Sequence, residues 1–236
     1  MEIKTIAFFR SPFPGKFGIP RQAGLAPDLR GRIVFEPEFR NPDALRGLDG
    51  FEYIWLIWEF SANTNPETTE LGAPDRFQPT VRPPRLGGNT RVGVFASRSP
   101  FRPNPLGLSS VRLESIDYEA KDSDGKPIGP VVNVLGADLM DGTPIYDIKP
   151  YVEYADSHPG VRSGFVSTTE WEPLQVEFPV GIGEAFPDID ILREVLSLDP
   201  RPRYHDDPSR EYGMSFGGRE VRFKVSGDVL TVLSIK

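Results

Sequence analysis

The chain has 236 residues, 38% of them hydrophobic and 11% aromatic, enough for one large core or two small ones. It has no cysteine, which excludes disulfides, thiolate zinc sites and cysteine nucleophiles, and its net charge of −7 sets it apart from general nucleic-acid binders, which carry an excess of lysine and arginine. No run approaches the ~20 apolar residues of a membrane helix, and the start MEIKTIAFFRSP, with Glu2 and no small-residue cleavage site, reads as a first strand rather than a signal peptide. The expectation is a cytoplasmic protein with no membrane partner.

Short β-type runs dominate the first two thirds: Ile3–Phe9, Ile33–Phe35, Tyr53–Phe60, Arg91–Ser97, Leu108–Ile116 and Val131–Leu135. Each is rich in β-branched and aromatic residues and bounded by Gly, Pro, Asn or Asp. Strands at this spacing, with no long amphipathic helix between them, predict a mainly β barrel or sandwich. A short helix is predicted from Asn41-Pro42, an N-cap followed by an N1 proline, to Gly47. Beyond Pro159 the character changes. Ile189, Leu192, Val195 and Leu196 fall at helical spacing, with Asp188 as cap and Pro200 beyond the end. Glu220–Lys236 alternates as a hairpin that turns at Ser226-Gly227-Asp228, and Asp199–Arg210 is a surface loop. The last third is therefore a small α+β unit.

Three segments carry chemistry. Thr80–Leu113, TVRPPRLGGNTRVGVFASRSPFRPNPLGLSSVRL, holds six arginines, five prolines, four glycines and no acid, whereas acids crowd Asp117–Asp124 and Glu184–Asp190. Proline and glycine set loops rigidly, so the arginines can aim at an anion; the competing reading is a solvated basic face. Leu86-Gly87-Gly88-Asn89 lacks the lysine of a P-loop and reads as a tight turn. In GADLMDGTPIYDIKPY, Asp138, Asp141 and Asp147 follow a strand. Turn chemistry accounts well for Asp141 and less well for Asp138 and Asp147, and a carboxylate at a strand end can accept hydrogen bonds from a ribose or an amine. RSPFPGKFGIPRQ mixes Arg10, Lys16, Arg21 and Gln22 with Phe13, Phe17 and Ile19, a combination suited to a purine and its sugar. The two histidines, His158 and His205, lie in no metal-ligand pattern, so no metal is expected.

Together, RSPFPGKFGIPRQ, LDGFEYIWLIWEF, VRPPRLGGNTRVGVFASRSPFRPNPLGLSSVRL and DLMDGTPIYDIKPY, in this order, resemble the TsaA-like family, as does the tail motif DPRPRY at Asp199–Tyr204. The bacterial members of that family are S-adenosylmethionine-dependent tRNA methyltransferases, acting on N6 of threonylcarbamoyl-adenosine at position 37 in the anticodon loop. The resemblance implies a β-barrel donor domain over 3–158, a small α+β C-terminal domain over 159–236, and a homodimer with the donor near the subunit interface. By motif it assigns donor contacts to Pro20, Arg21, Gln22, Arg98, Leu108 and the turn Leu135, Gly136, Ala137, Asp138, and also to Ser61 and Ala62, where this chain reads FSANTN. Methyl transfer needs alignment and water exclusion. The acceptor nitrogen is conjugated, so a base that removes its proton helps. Asp141 and Tyr146 are the candidate catalytic residues, with Asp138 assigned to donor binding. Arg82, Arg85, Arg91 and Arg102 are the candidate RNA contacts, and one of them could also pair bidentately with the threonyl carboxylate. Two other classes use the same residues: a non-catalytic RNA-binding barrel, and a small-molecule hydrolase with Asp138 and Asp141 as acid and base.

Overall fold

A computed structural model describes residues 2–63, 79–87, 89–169, 171–182, 186–202 and 207–236. Gly88, Glu184, His205 and the Arg203–Tyr204 end of DPRPRY lie outside the described residues. Twelve strands are seen among those described: β1 (Ala7–Arg10), β2 (Arg30–Phe35), β3 (Tyr53–Glu59), β4 (Thr80–Val81), β5 (Val92–Gly93), β6 (Leu106–Asp117), β7 (Val131–Leu135), β8 (Pro144–Pro150), β9 (Gln175–Glu177), β10 (Glu211–Phe216), β11 (Arg219–Ser226) and β12 (Val229–Ile235). Six of them close a barrel in the order β1-β2-β7-β6-β3-β8. Every pairing around the ring is antiparallel.

Strand period 2 explains the core. Ile54, Leu56 and Trp58 of β3 point inward, while Tyr53, Trp55, Ile57 and Glu59 point outward. On β6 the inward residues are small, Gly107 and Ser109, and Gly107 stands opposite Trp58 in the register. The indole occupies the room that Gly107 leaves. A Cβ at Gly107 would fall well inside contact distance of the Trp58 ring. Gly107→Ala is therefore expected to destabilise the barrel by about 1–3 kcal/mol, the usual cost of overpacking. Chemical denaturation checks this, and an unchanged midpoint would show that the indole has room to move.

A second sheet runs β10-β11-β12-β9, with β9 parallel to β12. Helix α2 (Ile189–Ser197; the short α1 is Glu153–Asp156) packs Leu192, Val195 and Leu196 against it. Phe13, Ala26 and Leu29, all from the long loop between β1 and β2, are buried in this same core. The Gly217 backbone N–H donates to the Pro12 carbonyl at 3.0 Å, and Phe13 meets Phe216 edge-on. The mainly β barrel and the sheet-rich C-terminal unit match the fold read from sequence.

Several local expectations change. Arg91–Ser97 is a two-residue strand followed by a 3-10 turn at Val94–Ala96: the Val94 N–H still donates to the Pro79 carbonyl in register, but proline has no N–H to return the bond and the ladder stops there. The predicted helix from Asn41 to Gly47 is a 3-10 turn, Pro42–Leu45; Asn41 does cap it, accepting from Asp43 N at 3.0 Å. Asp188 stands at the N-cap of α2 but makes no side-chain cap bond. Strands β8 and β10 were not anticipated. The hairpin β11–β12 does turn through Ser226–Val229, with Gly227 at φ 60°.

Candidate active site

Antiparallel closure decides where the assigned residues gather. β1, β3 and β7 run towards one end of the barrel, and β2, β6 and β8 run away from it. Three connections therefore share that end: residues 11–29, residues 60–105 and residues 136–143. They carry Pro20, Arg21, Gln22, Ser61, Ala62, Arg82, Arg85, Arg91, Arg98, Arg102, Gly136, Ala137, Asp138 and Asp141. Leu135, Leu108 and Tyr146 lie on the strand ends beside them.

Two of the three connections are zipped together. The Gly24 N–H donates to the Gly136 carbonyl at 2.8 Å, and the Gly136 N–H donates to the Leu29 carbonyl at 2.8 Å. Gly136 has φ 76°, a left-handed conformation natural to glycine, so the backbone shape rather than lack of space calls for glycine there. This turn delivers Asp138 to the mouth.

Asp138 is the focus of the site. Burial pushes its carboxyl above the usual range; the Ser109 hydrogen bond and the nearby Arg98 charge pull the other way. Ser109 Oγ donates to Asp138 Oδ1 at 2.6 Å and accepts from Trp58 Nε1 at 3.0 Å. The indole can only donate, so it takes a lone pair of the hydroxyl and leaves the Ser109 proton for the carboxylate. Arg98 Nη1 donates to Gln22 Oε1 at 2.6 Å, and Gln22 Nε2 donates to the Arg21 carbonyl. Arg98, Gln22 and Asp138 thus form one polar cluster across all three connections.

Ser109 and Trp58 were missed from sequence. The signal was available: alternation in LGLSS puts Gly107 and Ser109 on one face, opposite the tryptophan. Ser109→Ala is expected to cost about 1–3 kcal/mol of stability, because the buried Trp58 N–H loses its acceptor. It should also raise the Asp138 pKa further, since a bond to the ionised form is lost. The acid limb of ligand binding would then move to higher pH. Binding titrations across pH on wild type and variant check this, and superimposable limbs would remove Ser109 from the site.

Other assigned residues have different surroundings. Asp141 accepts from Ser11 N at 3.1 Å and lies 3.6 Å from Arg10 Nη1, so it braces the start of the β1–β2 loop. Asp138 and Asp141 each have partners of their own. Tyr146 donates to Glu59 Oε2, and burial followed by that carboxylate pushes its pKa up to about 12. At neutral pH it is a phenol and a donor. Arg21 Nη2 reaches the Asp199 and Arg201 carbonyls, at 3.3 and 3.2 Å, in the first part of the DPRPRY loop. There Asp199 and Arg201 form a bidentate pair that is largely shielded from solvent. Arg85 bonds to Thr169, and Arg102 bonds to the Val94 and Ser97 carbonyls. Arg82 and Arg91 are exposed, and Arg91 Nη1 donates to Thr80 Oγ1 at 2.8 Å. Pro20 is buried, Ser61 and Ala62 open the turn after β3, and Leu108 faces outward at 56% exposure.

The antiparallel barrel with a loop-built mouth, joined to a small sheet unit, lies outside the doubly wound α/β architecture. The chain belongs to the tRNA-methyltransferase O family. Residues 8–157 match that family's N-terminal domain and residues 173–236 its C-terminal domain. The tRNA (adenine(37)-N6)-methyltransferase of Escherichia coli K12 is 35% identical over 246 residues, covering 100% of this chain and 97% of that protein. The protein of the same name from Eikenella corrodens is 44% identical over 178 residues, covering 74% of this chain and 91% of the relative. The crystal structure of TrmO from Pseudomonas aeruginosa superposes with a TM-score of 0.74 at 29% identity, covering 100% of this chain and 98% of that one.

Proposed function

We infer that the protein is an S-adenosylmethionine-dependent methyltransferase acting on N6 of threonylcarbamoyl-adenosine at position 37 of tRNA. The observation that carries the reading is the half-buried Asp138 carboxylate, fixed by Ser109 and faced by Arg98, which Gln22 binds in turn, at the barrel mouth. Family membership and the names of the relatives support it.

The residues present fit the donor. Asp138 is a shielded acceptor for hydroxyl or ammonium groups, Gln22 and Arg98 supply donors, and Gly136 lets the backbone come close. When bound, S-adenosylmethionine supplies an electrophilic methyl on a sulfonium. Pro20, Arg21, Gln22, Ser61, Ala62, Arg98, Leu108 and Leu135–Asp138 are proposed to hold it. Arg21 does so indirectly, by tying the loop that carries Gln22 to the Asp199–Arg201 segment. Asp141 and Tyr146 are the proposed catalytic pair. With Tyr146 held as a phenol whose proton points at Glu59, its oxygen accepts from the acceptor N6–H; as the methyl is transferred the N6 proton passes to the phenol oxygen and the phenol proton to Glu59, which is the proton sink. Arg82 and Arg91 face phosphate; Arg85 and Arg102 shape the loops that present them.

The reading includes a homodimer. Leu106 and Leu108, at 37% and 56% exposure, lie with Ile57, the register partner of Leu108, on an outward apolar face of β3 and β6 that supports it. Leu108 then touches donor only because the site reaches the subunit interface. Division into a donor barrel over 3–158 and a C-terminal unit over 159–236, a cytoplasmic location and metal-free chemistry belong to the same proposal. No helix among the described residues is long and apolar enough to cross a membrane.

The test is incorporation of labelled methyl into tRNA that carries or lacks the threonylcarbamoyl group, with and without chelator. Strong labelling of the modified tRNA alone, insensitive to chelator, is expected. Equal labelling of both would remove the proposed acceptor.

A further inference from the structure

We propose that Phe95 and Phe101 form a stacking platform for unpaired anticodon-loop bases, beside the methyl-transfer mouth. This rests on the tRNA reading above. Phe95 is 69% exposed and Phe101 44% exposed, although each is a large apolar ring. Rings left in water on a rigid loop mark a binding surface.

The loop is rigid by construction. Ser97 Oγ donates to the Val94 carbonyl at 2.9 Å and accepts from Ser99 N, and Ser99 Oγ accepts from Phe101 N. The Arg102 guanidinium lies 5.6 Å from the centre of the Phe95 ring while Nη1 binds the Val94 and Ser97 carbonyls. The backbone that carries both rings is therefore held in place, so little ordering of the loop is needed on binding.

Charge chooses the occupant. Thr80–Leu113 has no acidic residue, in a chain of net charge −7. Arg82 and Arg91 adjoin the β4–β5 ribbon that precedes Phe95 in the chain, and Arg98, three residues after it, reaches Gln22. Flat apolar rings between cations match splayed bases on a phosphate backbone; stacking takes any base, while the arginines track the chain.

The experiment uses the full-length protein and a synthetic anticodon stem-loop bearing threonylcarbamoyl-adenosine, with affinity read by fluorescence anisotropy over a salt series. Phe95→Leu and Phe101→Leu keep apolar bulk and remove the ring; Phe95→Trp restores an aromatic. Each leucine variant is expected to weaken RNA binding about tenfold, with an unchanged salt slope, and Phe95→Trp to recover it. Donor affinity, thermal midpoint and sedimentation mass should stay at wild-type values. RNA affinity equal to wild type in Phe95→Leu would overturn the platform alone. A lowered sedimentation mass would overturn it in favour of a contact between two copies of the chain. Failure of the wild type to bind this RNA would overturn the tRNA reading together with the platform.

Discussion

Asp138→Asn is expected to abolish useful donor binding while leaving the fold intact or firmer. The carboxylate is enclosed, and burial raises its pKa, so folding favours the protonated form. For a carboxyl with a raised folded-state pKa, the ionised form weakens the fold. That penalty is absent below the unfolded-state pKa near 4 and grows as pH climbs through it towards the raised value. The asparagine variant escapes the penalty, so its stability relative to wild type should improve from acid towards neutral pH. The same change removes a charged acceptor from the donor site, and losing one charge-assisted hydrogen bond costs roughly 1.5–3 kcal/mol, about ten- to hundredfold in affinity. Calorimetry with S-adenosylmethionine and denaturation at several pH values read the two effects separately. Wild-type donor affinity in a folded variant would remove Asp138 from the cradle.

Arg98→Ala should damage binding and turnover far more than stability. Its side chain is exposed and donates to Gln22, an amide at the same mouth. The variant loses the brace that holds Gln22 and the positive charge that faces Asp138. A ten- to hundredfold rise in the donor dissociation constant follows from the loss of a charged donor. The thermal midpoint should move little, because the residue buries no apolar surface. Gln22→Ala should reproduce part of the loss, and the double variant should fall short of the sum, since the two side chains act through one contact. Strict additivity would mean that Arg98 and Gln22 work independently.

How much of this was readable from the chain depends on the range of each contact. Local pattern revealed β3 as a strand, the turn chemistry around Asp141 and the acid-free arginine segment, because each is written within a few residues. β8 was hidden by Pro144 and Pro150 at its ends and by Asp147 and Lys149 within it; it is a strand because β1 and β3 supply its partners. The direction of Arg21 could not be read either. Its carbonyl partners at Asp199 and Arg201 are nearly two hundred positions away. Tyr146 was readable as a polar residue near the site, but its role as a donor was not, since Glu59 comes from another strand. Arg102 and Arg85 show the limit of counting charges. Guanidinium groups in Pro-rich loops also serve as struts for carbonyls.

The loop between β1 and β2 belongs to two bodies at once. Phe13, Ala26 and Leu29 are buried with the C-terminal sheet, while Gln22 between them serves the mouth. During synthesis the barrel strands are complete once residue 150 has emerged, yet Phe216 and its neighbours are made some sixty residues later. Until then three apolar side chains near the N-terminus have no lid, and the segment carrying Gln22 is held only from the barrel side. A polypeptide cut short before the C-terminal sheet thus exposes a sticky loop that proteases and chaperones can find, and the barrel mouth takes its final shape only after that sheet has been made.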